Sequence, residues 1–231
     1  VDKNETPLFA SSQNIVCAEY VNGYVFAQTD NGNLYGIPYA DFLSDSVNLE
    51  STYVAHLDHV YQDLAYNYAR GELYGLVSEE YNDEAESAIY SINLKGSYFD
   101  EDVWAQVDAY EEEWAMGRTG LFGLTLASDD EGSMYIMGTS IDDETGEESN
   151  AQLWKSTLTT SWDGTNFGPF RLVGETELRI NYLQSMTWDH NTETLYWAQF
   201  YPKGINTLEM TLQQVDPATG ACTQVGTLSA E

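Results

Sequence analysis

Hydrophobic and polar residues alternate along this chain in short runs that are separated by clusters of Gly, Asn, Asp and Ser. Alternation with a period near two, bounded by turn-forming residues, is typical of β-strands joined by tight turns. None of the runs repeats its apolar positions with the period of an amphipathic helix. The pattern therefore predicts an all-β protein.

One strand phrase recurs along the chain. It reads "GELYGLVSE" at 71–79, "GSMYIMGTS" from Gly132 and "ETLYWAQFY" from Glu193, and a weaker copy, "GYVFAQTD", is centred on Val25. The tyrosines of the three clear copies, Tyr74, Tyr135 and Tyr196, are separated by two equal intervals of 61 residues. Self-similarity at a fixed interval indicates a repeat architecture.

Each copy of the phrase is the second of four predicted strands. The first strands are "NIVCAEY" (14–20), "YQDLAY" (61–66), "LFGLTL" (121–126) and "LQSMTW" (183–188). The third strands are predicted at 32–39, 87–94, 151–158 and 206–215, and the fourth at 52–57, 103–107, 168–174 and 222–228. Four units of four antiparallel strands, at roughly 14–60, 61–120, 121–182 and 183–231, predict a four-bladed β-propeller in a single domain over 1–231. The alternative, a β-sandwich, does not explain the equal intervals.

Three segments resemble blades of known propellers. "LYWAQ" (195–199) resembles the YWTD-type blade strand, and "QQVDPATGACTQVGTL" (213–228) resembles the last half of quinoprotein-like blades. "SWDGTNF" (161–167) is similar to the Asp-box hairpin turn of sialidase-type propellers, one residue short. The resemblance implies a propeller like those of uncharacterised bacterial surface or secreted proteins. It implies no catalytic residues, because lectins, receptors, lyases and hydrolases share such blades. We expect a complete ring; the alternative is part of a longer ring or protein.

The net charge of the chain limits the classes of partner that it is expected to bind. The chain has 38 Asp and Glu against 8 Lys and Arg, a net charge of −30. Such a surface repels phosphate backbones and anionic headgroups, so nucleic acid is not expected as a partner. The sequence has no run of about 18 apolar residues, so membrane insertion is not expected either. Cations and neutral ligands such as glycans are compatible with this charge; the alternative is that the acids only keep a secreted protein soluble. We expect an extracellular or cell-surface protein.

The aligned first strands contain two informative columns. A large, apolar column holds Tyr20, Tyr66, Leu126 and Trp188, and a small or polar column holds Cys17, Asp63, Gly123 and Ser185. For Asp63, a structural carboxylate bonded to neighbouring backbone is favoured over a cation ligand in the channel.

The register also predicts two free thiols. It places Cys17 in an innermost strand and Cys222 in an outermost strand. About three strand spacings of roughly 4.8 Å separate such strands, and a disulfide needs Cα atoms within about 7 Å. The sequence has no CxxC and no Cys/His cluster, so a zinc site is not supported.

A binding face is predicted where the loops between blades and the loops joining second to third strands meet. The candidate ligand-binding residues there are His59, Trp114, Arg118, Arg179 and Tyr201. Aromatic rings beside arginines are suited to stacking a sugar or gripping a carboxylate. One alternative is packing of the long inter-blade loop predicted at 110–120, whose tip holds Trp114. For His59 the alternatives are an acid–base role and an ordinary surface role.

Calcium is the one cofactor that the sequence suggests. Two acidic loops, "SEEYNDEAES" (78–87) and "SIDDETGEES" (140–149), join second to third strands in adjacent predicted blades. Oxygen-rich loops of this kind suit Ca²⁺, and the candidate ligands are Asp83, Glu84, Asp142, Asp143 and Glu144. Neither loop has EF-hand spacing, so the alternative is a pair of solvated acidic loops.

No nucleophile elbow, phosphate-binding glycine loop or metal-binding helix motif occurs in the sequence. We therefore expect a non-catalytic interaction module that binds a protein or a glycan through the loop face. One alternative is a hydrolase or lyase-like enzyme that uses the central channel, and another is a structural spacer domain. The sequence leaves the oligomeric state open.

Overall fold

The computed structural model describes residues 14–43, 52–81, 84–94, 109–115, 121–140, 149–161, 164–180, 184–204 and 207–228. In these ranges the chain forms strands and one short helix, α1 (Tyr39–Phe42). No helix of the described ranges is long and apolar enough to cross a membrane.

Four antiparallel sheets of four strands form the four blades of a β-propeller, as predicted. Blade 1 contains β1 (Ile15–Val21), β2 (Tyr24–Thr29), β3 (Asn33–Pro38) and β4 (Tyr53–His56). Blade 2 contains β5 (Asp63–Asn67), β6 (Glu72–Tyr81), β7 (Glu84–Leu94) and β8 (Ala109–Ala115). Blade 3 contains β9 (Leu121–Ser128), β10 (Met134–Ser140), β11 (Gln152–Ser156) and β14 (Arg171–Glu175). Blade 4 contains β15 (Ser185–Asp189), β16 (Thr194–Gly204), β17 (Thr207–Val215) and β18 (Cys222–Leu228).

A two-stranded hairpin, β12 (Leu158–Ser161) with β13 (Gly164–Phe167), is inserted into blade 3. The strand predicted at 151–158 therefore ends at Ser156, and the chain leaves the blade before returning as β14. The hairpin predicted from "SWDGTNF" is present.

The fourth strand of blade 2 differs from the strand predicted for this position. The predicted strand at 103–107 lies outside the described residues. Strand β8 pairs with β7 at 109–115, which overlaps the segment 110–120 that was predicted to be an inter-blade loop. The loop prediction is wrong for these residues. An outermost strand bonds to a neighbour on one side only, and charged residues are common on such edges. The acidic sequence of β8 is therefore compatible with a strand.

Tight turns connect the first and second strands of each blade. In blade 1 the two turn residues are Asn22 and Gly23, with φ of 47° and 95°. Positive φ at both positions is the requirement of a type I′ hairpin, and Asn-Gly is the pair that satisfies it best. Gly71, Gly132 and Glu193 also have positive φ in the corresponding turns of the other blades.

The core lies between the blades. Leu34 and Leu57 of blade 1 pack with Leu64 and Leu73 of blade 2, and similar clusters join blade 2 to blade 3 and blade 3 to blade 4. Of the recurring tyrosines, Tyr74 and Tyr135 are fully buried and Tyr196 is half-buried. The repeated phrase therefore supplies the second strand of a blade, whose large side chains fill these layers.

Both cysteines are free, as predicted. Cys17 is buried in β1, the innermost strand of blade 1, and Cys222 begins β18, the outermost strand of blade 4. The two positions confirm the register on which the prediction rested.

Candidate functional site

A cavity of about 470 Å³ lies where the first strands of the four blades turn into the second strands. Its size is within the usual range for small-molecule sites. We call it the axial pocket, and its lining residues are Tyr20, Asn22, Tyr68, Asp130, Trp188, Asp189, His190 and Asn191. All four blades contribute, because their inner strands lie side by side and the turns that follow them meet at one end.

Aromatic rings form much of the pocket, and neighbouring rings hold them in place. Tyr20 is 51% exposed and its ring meets the edge of Tyr39, with centroids 5.3 Å apart. Tyr68 contacts His190 edge-on at 4.5 Å. Trp188 lies parallel to the buried ring of Tyr135, with centroids 6.2 Å apart. Such contacts fix ring orientation while leaving part of each surface open to a ligand.

Asp130 joins two of these rings through hydrogen bonds. Its carboxylate accepts a bond of 3.2 Å from the indole Nε1 of Trp188 and contacts Nδ1 of His190 at 2.5 Å. The bond to His190, with a smaller contribution from Trp188, lowers the pKa of Asp130. Asp130 is therefore an ionised carboxylate that orients an imidazole and an indole.

Asp189 is the second carboxylate of the pocket. It accepts hydrogen bonds from Thr192 Oγ1 at 2.6 Å and from the backbone N–H of Asn191 at 2.9 Å. These bonds, with that from Thr192 the strongest, lower the pKa of Asp189. The turn thus presents a charged carboxylate in a fixed orientation.

Asp63 lies deeper along the same inner strands and is buried. Its carboxylate accepts hydrogen bonds from the backbone N–H groups of Leu64, Leu126 and Met186, at 3.0–3.1 Å, and from Ser185 Oγ at 3.2 Å. Burial raises the pKa of Asp63 to about 7, and these hydrogen bonds oppose the shift only in part. The interpretation of Asp63 as a structural carboxylate bonded to backbone is confirmed.

Glu19 of β1 interacts electrostatically both with Asp63 and with the pocket residue Tyr68. Its side chain keeps some accessible surface but is enclosed by protein. Burial, with a smaller contribution from Asp63, raises the pKa of Glu19 to about 8. Burial and then the Glu19 carboxylate also raise the pKa of Tyr68, which lines the pocket.

The described residues contain no group of three or more His, Cys, Asp or Glu side chains able to hold a metal ion. Asp83, Asp142, Asp143 and Glu144 lie outside the described residues, and Glu84 is described only as the first backbone position of β7. The calcium site stays a prediction.

The ligand-binding residues predicted from the sequence are distributed over several blades. The ring of His59, between blades 1 and 2, packs on Tyr90 with centroids 4.2 Å apart. Arg179, between blades 3 and 4, is exposed, and its backbone carbonyl accepts a hydrogen bond of 2.8 Å from Gln199. The hydroxyl of Tyr201 donates to Glu209 at 2.8 Å.

Trp114 and Arg118 are the two remaining candidate ligand-binding residues. Trp114 pairs with Ile89 within strand β8 and is therefore not at the tip of a loop. Arg118 lies outside the described residues.

The axial pocket lies at the opposite end of the inner strands from the predicted binding face. A five-residue strand such as β15 separates its two ends by about 13 Å. Sequence analysis missed the pocket because its turns were interpreted only as connections between strands. One signal was present: Tyr20 and Trp188 belong to the large, apolar column and come just before turns of the first strand into the second.

Comparison with known proteins adds nothing to the fold assignment. No family model matches the chain, and no curated protein matches it. Among solved structures it is similar to a protein of unknown function from Bacteroides thetaiotaomicron, at 16% identity and a TM-score of 0.42, over 94% of this chain and 59% of that one. It is also similar to an ulvan lyase from a new family of polysaccharide lyases, at 11% identity and a TM-score of 0.39, over 98% of this chain and 57% of that one. The chain thus spans less than three fifths of either protein.

Proposed function

We propose that this protein binds a carbohydrate in the axial pocket. The observation that carries the proposal is that the exposed ring of Tyr20 and the half-buried ring of Trp188 share one cavity with Asn22, Asp189 and Asn191. A sugar presents apolar C–H faces, which suit aromatic rings, and hydroxyl groups, which suit carboxylate and amide groups. The volume of about 470 Å³ suits a short stretch of saccharide.

The pocket is held in shape by its own contacts, which favours binding. Asp189 is fixed by its own turn, and Trp188 is fixed by Asp130 and by the parallel ring of Tyr135. Side chains that are already ordered lose little conformational entropy when a ligand arrives. A preformed aromatic site therefore supports measurable affinity even for a small sugar.

A second function, acid–base catalysis in the same pocket, is favoured by one observation. His190 is bonded to the Asp130 carboxylate and retains 34% side-chain exposure at the pocket. A carboxylate-oriented imidazole is a common arrangement for a general base. Release of shortened or chemically altered saccharides would distinguish this function from binding alone.

An extracellular or cell-surface role is part of the same proposal. It is supported by the net charge of −30, which suits a soluble module that meets neutral glycans rather than nucleic acid. Binding of a protein ligand and a spacer role are the remaining alternatives, and both predict that no saccharide binds.

An immobilised panel of neutral, basic and acidic oligosaccharides tests the proposal, with Tyr20→Ala as the pocket variant. Tyr53→Ala is the matched control, because Tyr53 is 41% exposed in the outermost strand of blade 1, away from the pocket. We expect wild type and Tyr53→Ala to bind the same saccharide and Tyr20→Ala to bind it at least tenfold more weakly.

Each other outcome has a definite meaning. If no saccharide binds, the carbohydrate function is wrong. If Tyr20→Ala binds as wild type does, the axial pocket is not the site. Mass spectrometry of the same saccharides after incubation decides between binding and catalysis.

A further inference from the structure

The charge of the axial pocket is one-sided. Asp130 and Asp189 line it together with His190, which is bonded to Asp130, and no lysine or arginine lines it within the part of the chain that the structure describes. Two described basic residues on neighbouring elements are paired with acids: Lys155 lies 3.8 Å from Asp129, and Arg70 lies 2.9 Å from Glu72. The pocket therefore offers negative charge to a ligand.

Both carboxylates are held in the ionised state by donors from their surroundings. Asp130 receives its bonds from His190 and Trp188, and Asp189 receives its bonds from Asn191 and Thr192. Each carboxylate oxygen accepts more than one hydrogen bond, so Asp189 retains capacity for a ligand donor. The donors of Asp130 are the side chains of Trp188 and His190, which line the pocket themselves, whereas the donors of Asp189 belong to its own turn, so Asp189 is the main acceptor for a ligand.

Carboxylates and aromatic faces together suit a cationic group. An ammonium forms short, charge-assisted hydrogen bonds with a carboxylate and is attracted to the face of a tryptophan or tyrosine ring. Trp188 immediately precedes Asp189 on β15, and Tyr20 and Tyr68 line the same cavity.

We propose that the axial pocket selects saccharides that carry a free, protonated amino group, with Asp189 as the acceptor and the rings of Tyr20, Tyr68 and Trp188 lining the same cavity. This inference rests on the proposed carbohydrate function and specifies its substrate class. The ligand is an amino sugar that is not acetylated, because acetylation removes the positive charge.

The same arrangement excludes acidic sugars. A uronate or sulfate group in the pocket would lie beside two carboxylates in a chain whose net charge is −30. Like charges at close range in a partly enclosed site are unfavourable, and specificity often depends on such repulsion. Neutral sugars still stack on the aromatic rings and lack only the charged hydrogen bond to Asp189, so they bind with intermediate affinity.

The test uses four tetrasaccharides with the same β-1,4-linked backbone. They are the tetramers of glucosamine, N-acetylglucosamine, glucose and glucuronate, and calorimetry measures each Kd at a pH at which the amine is protonated. We expect the glucosamine tetramer to bind at least tenfold more tightly than the two neutral tetramers. The glucuronate tetramer should bind more weakly than any of them.

The chain offers a matched pair of variants for the carboxylate. Asp189→Asn removes the charge at the pocket. Asp216→Asn removes a charge from a second turn with the same hydrogen bonds, in which Asp216 accepts from the N–H of Ala218 at 2.9 Å and from Thr219 Oγ1 at 2.7 Å. We expect only Asp189→Asn to weaken binding of the glucosamine tetramer, by at least fivefold, with the glucose tetramer unaffected.

The outcomes separate the two proposals. Equal or tighter binding of the neutral or acidic tetramers overturns the charge selection and leaves the carbohydrate function intact. Equal losses of affinity for the glucosamine tetramer in Asp189→Asn and Asp216→Asn would show that the amines are attracted by the overall charge of the protein. That result also overturns the charge selection by the pocket. If none of the four tetramers binds, the inference is wrong, and the wider saccharide panel decides whether the carbohydrate function is wrong as well. Binding of tetramethylammonium as tightly as the glucosamine tetramer shows a site for any cation and overturns the sugar selectivity.

Discussion

The carboxylate of Asp63 in blade 2 accepts a hydrogen bond of 3.1 Å from the backbone N–H of Met186 in blade 4. The same oxygen accepts a bond of 3.0 Å from the N–H of Leu126 in blade 3. An innermost strand has a neighbour on one side only, so some of its N–H groups face the channel and need an acceptor. One buried side chain thus joins the inner strands of three blades.

Asp63→Asn should destabilise the fold. Asparagine keeps one acceptor oxygen but turns an NH₂ group toward N–H groups that now bond to Asp63. A buried donor left without an acceptor costs about 1–3 kcal/mol, so urea unfolding at pH 8, where the carboxylate of Asp63 is ionised, should show a loss of about 2 kcal/mol. Asp58→Asn, at an exposed position, should change the free energy of unfolding by less than about 0.5 kcal/mol. Equal stability of the two variants would mean that Asp63 does not tie the blades together.

Stability should fall as pH rises from about 5 to 8. Burial raises the pKa of Glu19 from 4.5 to about 8 and that of Asp63 from 3.8 to about 7, so the folded protein holds protons that the unfolded chain releases. This stabilisation is fully present below the unfolded pKa values and is lost as pH rises through the folded ones. Each such proton contributes a slope of at most about 1.4 kcal/mol per pH unit.

Glu19→Gln checks this pH dependence. The variant should show a shallower decline of Tm between pH 5 and 8 and should be more stable than wild type at pH 8. Glu175→Gln, at an exposed position, serves as the control. Parallel Tm profiles for Glu19→Gln and wild type would contradict the shifted pKa of Glu19.

Gly75→Ala should destabilise blade 2. A Cβ at Gly75 would lie 2.3 Å from Cδ1 of Tyr61, whose ring is buried. Overpacking of this kind costs about 1–3 kcal/mol in the free energy of unfolding. At Gly226 the nearest atom would be 3.9 Å away, so Gly226→Ala should be nearly neutral in the same thermal or urea measurement. Equal effects of the two substitutions would argue against the packing of Tyr61 on Gly75.

Both thiols should be present and slow to react in the folded protein. Burial raises the pKa of Cys222 to about 11 and also raises that of Cys17, so little thiolate exists near neutral pH. Intact mass after alkylation without reductant should show two adducts in denaturant and far slower labelling under native conditions. A mass without adducts in denaturant would reveal a disulfide and contradict the register of β1 and β18.

The strand pattern was predictable because blade strands are short, apolar and separated by turn residues. The phrase around Tyr74 predicted β6, and the weaker copy centred on Val25 predicted β2. The sequence did not explain why position 75 of this phrase is a glycine. The reason is that the ring of Tyr61, fourteen residues away along the chain, leaves no room for a Cβ there. The strand β8 was missed because its acidic residues resemble a loop when no neighbouring strand is known.

The position of the site was not predictable from local patterns. Asp130 and His190 are sixty residues apart, and each looks like an ordinary turn residue in the sequence. They meet because successive blades place equivalent turns around one axis. The order of the blades, and not the chemistry of either turn, creates the His190–Asp130 pair.

The most direct test of the account is a ¹H–¹⁵N NMR titration of the labelled protein with the saccharide that binds most tightly. The chain has six tryptophans, and Trp188→Phe assigns the indole N–H that donates to Asp130. We predict that this indole signal and the backbone amides of Asn22 and Asn191 shift most. Shifts confined to the amides of Arg179 and Tyr201, which belong to the predicted binding face, would contradict the assignment of function to the axial pocket.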